Sequence, residues 1–136
     1  MCPILDAEEY LDRFIELTTV NGILPVGFPT SPQISNACLF DFDSKLYLYC
    51  QNKGLTFTRY SDDIIVSGPA RESLADIQEE ITRLLLESFN DKLKVNESKS
   101  KFTHIGNKVK LLGMVIMPNK RVTVDIKFKK DLEVML

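Results

Sequence analysis

The chain has 136 residues, 44% apolar and 26% charged, which bounds it to at most one domain around one core of a globular protein. No stretch approaches the roughly 18 apolar residues needed to span a bilayer, and the residues around Met1 to Glu9 lack the basic flank and apolar run of a signal peptide. A net charge of −2 argues against a uniformly basic nucleic-acid binder, yet residues 92–136 carry 11 Lys/Arg against 4 Asp/Glu while residues 1–91 carry 6 against 15. A basic C-terminal third fits a polyanionic partner and fits equally an exposed hairpin kept soluble by lysines.

In chain order, Asp6 followed by Glu9 reads as a capping box that opens a helix over about 6–18, with Leu11, Phe14, Ile15 and Leu17 roughly on one face. Alternating Gly and Pro between Asn21 and Thr30 preclude a helix there. Ser31-Pro32 predicts a second helix, with Ser31 as cap, running to about Asn52 and ended by Gly54. A hairpin follows over about 55–60 and 64–68. A third helix is expected over about 71–90, with Leu74, Ile77, Ile81, Leu84, Leu85 and Phe89 on its core face. Short strands are expected at 93–95, 101–105, 109–117 and 122–124, with turns at Gly106-Asn107 and Pro118-Asn119, and a helix starts near 127. This order indicates an α+β fold, a sheet with helices on one face.

The most informative stretch is Tyr60-Ser61-Asp62-Asp63, at the tip of that hairpin. Strand interiors disfavour Asp, so an adjacent pair has either a turn role or a metal role. Two carboxylates at a hairpin tip offer hard oxygen ligands suited to Mg²⁺, and a solvated turn is the alternative.

Three segments carry a resemblance. Residues 24–36, Leu-Pro-Val-Gly-Phe-Pro-Thr-Ser-Pro-Gln-Ile-Ser-Asn, resemble the Leu-Pro-Gln-Gly-x-x-x-Ser-Pro-x-x-x-Asn element of reverse transcriptases. Residues 54–63, ending Thr58-Arg59-Tyr60-Ser61-Asp62-Asp63, resemble their Tyr-x-Asp-Asp element. Asn96-Glu97-Ser98-Lys99, then Leu111-Leu112-Gly113, resemble the Asn-x-x-Lys and Gly elements that follow. The set, in this order over about residues 15–130, is most similar to bacterial retron-type and group II intron-type enzymes.

The resemblance implies an α+β, ferredoxin-like polymerase palm with an antiparallel sheet and helices on one face, over residues 1–125, and the start of a thumb or a linker over 126–136. It implies RNA-directed DNA polymerase activity with an RNA template, a DNA primer and dNTPs, two Mg²⁺ ions (Mn²⁺ as a substitute), and a role in retrons, intron mobility or antiviral defence. Asp62 and Asp63 would be the catalytic metal ligands. Gly27, Pro29, Ser31, Tyr60 and Lys99 would face nucleotide or template, Lys99 being as readily a solvated turn lysine. A palm that templates RNA from RNA shares the Asp pair, and the Thr-Arg-Tyr and Leu-Pro-x-Gly contexts weigh against it.

The sequence departs from the family pattern at Val26, where the family has Gln, and at the bulky Phe28. The family's first catalytic aspartate lies on a strand for which the residues before Leu24 offer no counterpart, and the fingers and most of the thumb have none either. The palm is therefore expected to be partial: part of a larger polymerase, inactive alone and self-associating through an open sheet edge. A non-catalytic polymerase-like module that binds nucleic acid or a partner protein is the alternative.

His104, the single histidine, reads as structural. Asp41 to Lys45 hints at a calcium loop but lacks its Gly and bidentate Glu, and reads as a solvated helix face. Cys2, Cys38 and Cys50 have no metal-ligand spacing, which fits a reducing cytoplasm, and Cys38 and Cys50 read as core thiols. Ser31 and Ser35 lack triad partners.

Overall fold

Phe42, Leu46 and Cys50 recur every four residues and are fully buried, so one stripe of one helix sets the core. The computed structural model describes residues 8–126. The chain divides into two compact units, Met1–Val95 and Asn96–Leu136. The first holds α1 (Glu8–Thr18), α2 (Ser31–Cys38), α3 (Phe40–Asn52), β1 (Thr56–Tyr60), β2 (Asp63–Ser67), a 3₁₀ turn (Glu72–Leu74) and α4 (Ile77–Phe89). The second holds β3 (Val109–Leu111), β4 (Met114–Ile116) and β5 (Val122–Val124).

The stripe of α3 packs with Leu55 and with Ile77, Leu84 and Leu85 of α4. Leu74, Ile81 and Phe89 close around this cluster, as their helical spacing predicts. Gly54 takes φ +66 just beyond α3, where a Cβ would be strained. The amide of Leu55 donates to Cys50 O (2.8 Å) and that of Gly54 to Gln51 O (3.1 Å). These are the two bonds of a Schellman motif, and they deliver buried Leu55 onto buried Cys50.

The antiparallel pair β1–β2 places Phe57 opposite Val66 and Arg59 opposite Ile64. Phe57, Ile64 and Val66 pack on the core, so this is the inward face. Tyr60 and Asp63, also paired, share the outward face with Thr58 and Ile65. Gly68 follows β2 where a Cβ would meet Leu55 Cδ2 at 2.5 Å and Ser73 Oγ at 2.8 Å, so an added side chain would have to displace them.

Several expectations are corrected. The helix over 31–52 is divided at Leu39, a single turn residue (φ −89, ψ 0) between α2 and α3, and Asp41 and Asp43 open α3 at its favourable acidic end. Thr30, not Ser31, stands at the N-cap position of α2, without a side-chain cap bond, and the Ser31 hydroxyl donates to Pro25 O (2.7 Å) and ties down the loop instead. The helix over 71–90 resolves into the 3₁₀ turn and α4. Asp76 precedes α4 without capping it, since its carboxylate is drawn to Lys53 Nζ at 2.9 Å. Residues 93–95 and 101–105 are not strands, their alternation finding no partner strand. The stretch 109–117 folds back on itself, with Leu112 (φ 50) and Gly113 (φ 76) both left-handed between β3 and β4.

In place of one sheet there are two, β1–β2 and β3–β4–β5, both antiparallel. Cys38 is exposed rather than a core thiol, whereas Cys50 is buried and its burial pushes the thiol pKa up. Asp6 of the expected capping box, Cys2, and the helix expected from 127 lie outside the described residues.

Candidate functional site

The Asp pair is built by a two-residue hairpin loop. Tyr60 pairs with Asp63, leaving Ser61 and Asp62 at the tip, and Ser61 adopts φ +54. A positive φ at the first loop residue belongs to the tight hairpins whose twist matches the strands, but for a residue with a Cβ it costs about 1–2 kcal/mol. Tyr60, Ser61, Asp62 and Asp63 are all exposed. No hydrogen bond or ion pair engages either carboxylate among the described residues, so both are free to take an external ligand. They provide hard oxygens on adjacent residues, a donor set that fits Mg²⁺ completed by water and phosphate oxygens. Among the described residues no group of three or more His, Cys, Asp or Glu gathers as a metal cluster.

The turn is braced from below by Arg59. Its Nε donates to Asp43 Oδ1 (2.8 Å) and Oδ2 (3.1 Å), and its Nη2 to Asp43 Oδ2 (2.6 Å). Its Nη1 donates to Asn36 Oδ1 (3.1 Å) and to Ser61 O (2.6 Å). The Arg59 side chain is 9% exposed and that of Asp43 26%. The carboxylate of Asp43 holds the guanidinium pKa above its usual value. Thus Asp43 is not a solvated helix face but the anchor of a half-buried ion pair. The sequence contained one signal for it: an Arg at an inward-facing position of a strand.

The other predicted residues are placed as follows. Gly27 has φ +90 with nothing within 4 Å of a Cβ, so backbone conformation, not crowding, calls for glycine. Pro29 lies in the turn before α2, and the Ser31 amide donates to Phe28 O (3.2 Å). The structure ties α2 to the Asp turn through Asn36 and Arg59. Val26 and Phe28 are both exposed. Lys99 belongs to the second unit, exposed in a turn where its amide donates to Asn96 O at 3.1 Å. His104 is exposed, and its Nδ1 accepts the Gly106 amide (3.1 Å), a local turn contact. No helix among the described residues is long and apolar enough to cross a membrane.

Comparison with known proteins gives this geometry its context. The chain is similar to the retron Ec83 reverse transcriptase of Escherichia coli, 24% identical over 75% of this chain and 33% of that protein. It is similar to the retron Ec73 reverse transcriptase of Escherichia coli, 32% identical over 85% of this chain and 38% of the relative. It is also similar to the retron Mx162 reverse transcriptase of Myxococcus xanthus, 25% identical over 82% of this chain and 24% of the relative. The chain thus spans between about a quarter and two fifths of the length of these relatives. The family described as "Reverse transcriptase (RNA-dependent DNA polymerase)" matches residues 12–116, which include the braced hairpin and its Asp pair, and the chain belongs to that family.

Proposed function

We propose that this chain is the palm segment of an RNA-directed DNA polymerase, extending a DNA primer with dNTPs on an RNA template. The observation that carries the proposal is the pair of unengaged carboxylates, Asp62 and Asp63, at the tip of a braced hairpin inside the family match. The proposed partial palm is ferredoxin-like. The retron reverse transcriptases among its relatives favour a retron-type role over intron mobility.

In this reading Asp62 is the principal metal ligand, and Asp63 adds charge or a weaker bond. Mg²⁺, with Mn²⁺ as substitute, supplies charge neutralisation at the primer hydroxyl and at the leaving phosphate when bound. Tyr60, outward beside Asp63, contacts the primer end or nucleotide. Gly27 and the Pro29–Ser31 entry to α2 lie along nucleotide or template, and Lys99 offers a point charge to phosphate. Two adjacent carboxylates are too few for two ions, so further ligands come from substrate and from protein beyond these residues. The segment alone is therefore inactive. Both outer edges of β1–β2 lack a β partner among the described residues, which supports addition of a further strand, including self-association of the isolated segment.

Primer extension on an RNA template tests the reading. The full-length protein should extend, and its Asp62→Asn variant should lose about 10³-fold, equivalent to about 4 kcal/mol of transition-state stabilisation. Activity at wild-type level in Asp62→Asn would refute it.

A further inference from the structure

We propose that Arg59 is the positioning residue that aims the Asp62–Asp63 pair, by clamping the tip of the hairpin to helices α2 and α3. The inference rests on the reading that the pair holds metal.

The carbonyl of Ser61 and the amide of Asp62 belong to one planar unit. Arg59 Nη1 fixes that carbonyl oxygen at 2.6 Å. Fixing the oxygen fixes the plane, and with it the direction in which the Cα of Asp62 leaves the turn. The plane needs fixing because Ser61 sits at φ +54, which a residue with a Cβ adopts only when its surroundings hold it there.

The clamp is itself anchored. Asp43 takes three contacts from Nε and Nη2. Its neighbours in α3, Phe42 and Leu46, are fully buried, so Asp43 is carried by the helix whose stripe forms the core. Asn36 takes the second Nη1 contact from α2, the helix that continues the Gly27–Ser31 loop. One guanidinium therefore registers the Asp turn against both the core helix and the helix leading from that loop. Lysine cannot do this, because a single ammonium on a flexible stem has no planar fork to span three partners. Arg59 touches neither carboxylate of the pair in the structure, so it acts through the turn.

The test measures the Mg²⁺ concentration for half-maximal primer extension in the full-length protein, with the folded fraction of each variant matched by circular dichroism. Arg59→Lys and Asp43→Asn should each raise that midpoint about tenfold, as loss of groups that orient metal ligands does. The KM for primer–template should stay within about twofold, since a metal-site defect leaves uniform substrate binding intact. Asn36→Ala should move the midpoint in the same direction by less. Asp76→Asn, which breaks the remote pair with Lys53, should leave it unchanged. A wild-type midpoint in folded Arg59→Lys overturns the inference; should that variant not fold, a wild-type midpoint in Asn36→Ala overturns it instead. Asp62→Asn separates the two levels. If it is inactive while the Arg59→Lys midpoint stands still, the metal reading survives and the clamp fails. If it is fully active, the metal reading fails and takes the clamp with it.

Discussion

The Arg59–Asp43 pair should be worth more to stability than any other ion pair described in the chain, and a double-mutant cycle measures it. Its side chains are 9% and 26% exposed, whereas in Lys45–Glu87 they are 41% and 48%. Removing one partner of a fully buried pair costs roughly 3–5 kcal/mol, because the other charge is left without compensation. Here Asp43 keeps some water and Arg59 keeps Asn36 and Ser61, so about 2–3 kcal/mol is expected for Asp43→Leu or for Arg59→Met. Replacing both at once, Arg59→Met with Asp43→Leu, leaves no stranded charge and should lie within about 1 kcal/mol of wild type. The coupling would then be about 3 kcal/mol or more. Urea unfolding followed by circular dichroism reads it as a midpoint shift of about 1–3 M for each single variant, with m near 1–2 kcal/mol/M. Single variants that each cost less than about 0.5 kcal/mol and combine additively would refute the reasoning, since the pair would then behave as a solvated surface contact.

Four further outcomes follow from the same structure. Leu46→Ala should cost about 2–5 kcal/mol by urea unfolding, because Leu46 is fully buried at the centre of the α3 stripe. Gly68→Ala should cost about 1–3 kcal/mol in the same assay, its Cβ displacing Leu55 from the core. Leu112→Asn should increase hydrogen-exchange protection in β3 and β4, as Asn accepts the left-handed turn position (φ 50) better than Leu. Glu80, held below its usual pKa first by its hydrogen bond from Arg83, and Glu87, held down first by Lys45, stabilise the fold above the ordinary carboxylate range. That contribution is lost as pH falls through their lowered values, so melting temperature should drop in acid below about pH 4, and less steeply in Glu80→Gln.

What the sequence revealed and concealed divides along physical lines. Patterns carried by local periodicity were legible: the core face of α4, the β1–β2 hairpin, and Gly54 as the stop of α3. Breaks without Gly or Pro were not. The division at Leu39 is a single turn residue, marked only by the acidic residues that follow. Leu112 occupies a left-handed turn position usually filled by Asn or Asp, which hid a hairpin inside an apolar stretch. Residues 101–105 alternate like a strand, but alternation reports a pattern of side chains and not the presence of a partner to pair with.

The site was half legible for a related reason. Asp62 and Asp63 stand out because carboxylates are foreign to a hairpin of apolar strands. Their support does not stand out, because Asp43 and Arg59 are 16 positions apart and meet only once α3 and β1 have packed. Yet each part of the support breaks a local rule. Arg59 occupies an inward position that its neighbours Phe57, Ile64 and Val66 fill with apolar side chains. Ser61 takes a backbone conformation suited to Gly. Asp63 begins a strand. Any one of these would be a modest cost scattered on a surface, and a sequence selected for stability alone would shed them. All three fall within five consecutive residues, and the charge at the inward position holds the strained peptide at the tip. Local rules that fail together at one turn, and are compensated by one side chain, mark a site where geometry has been kept at the expense of stability.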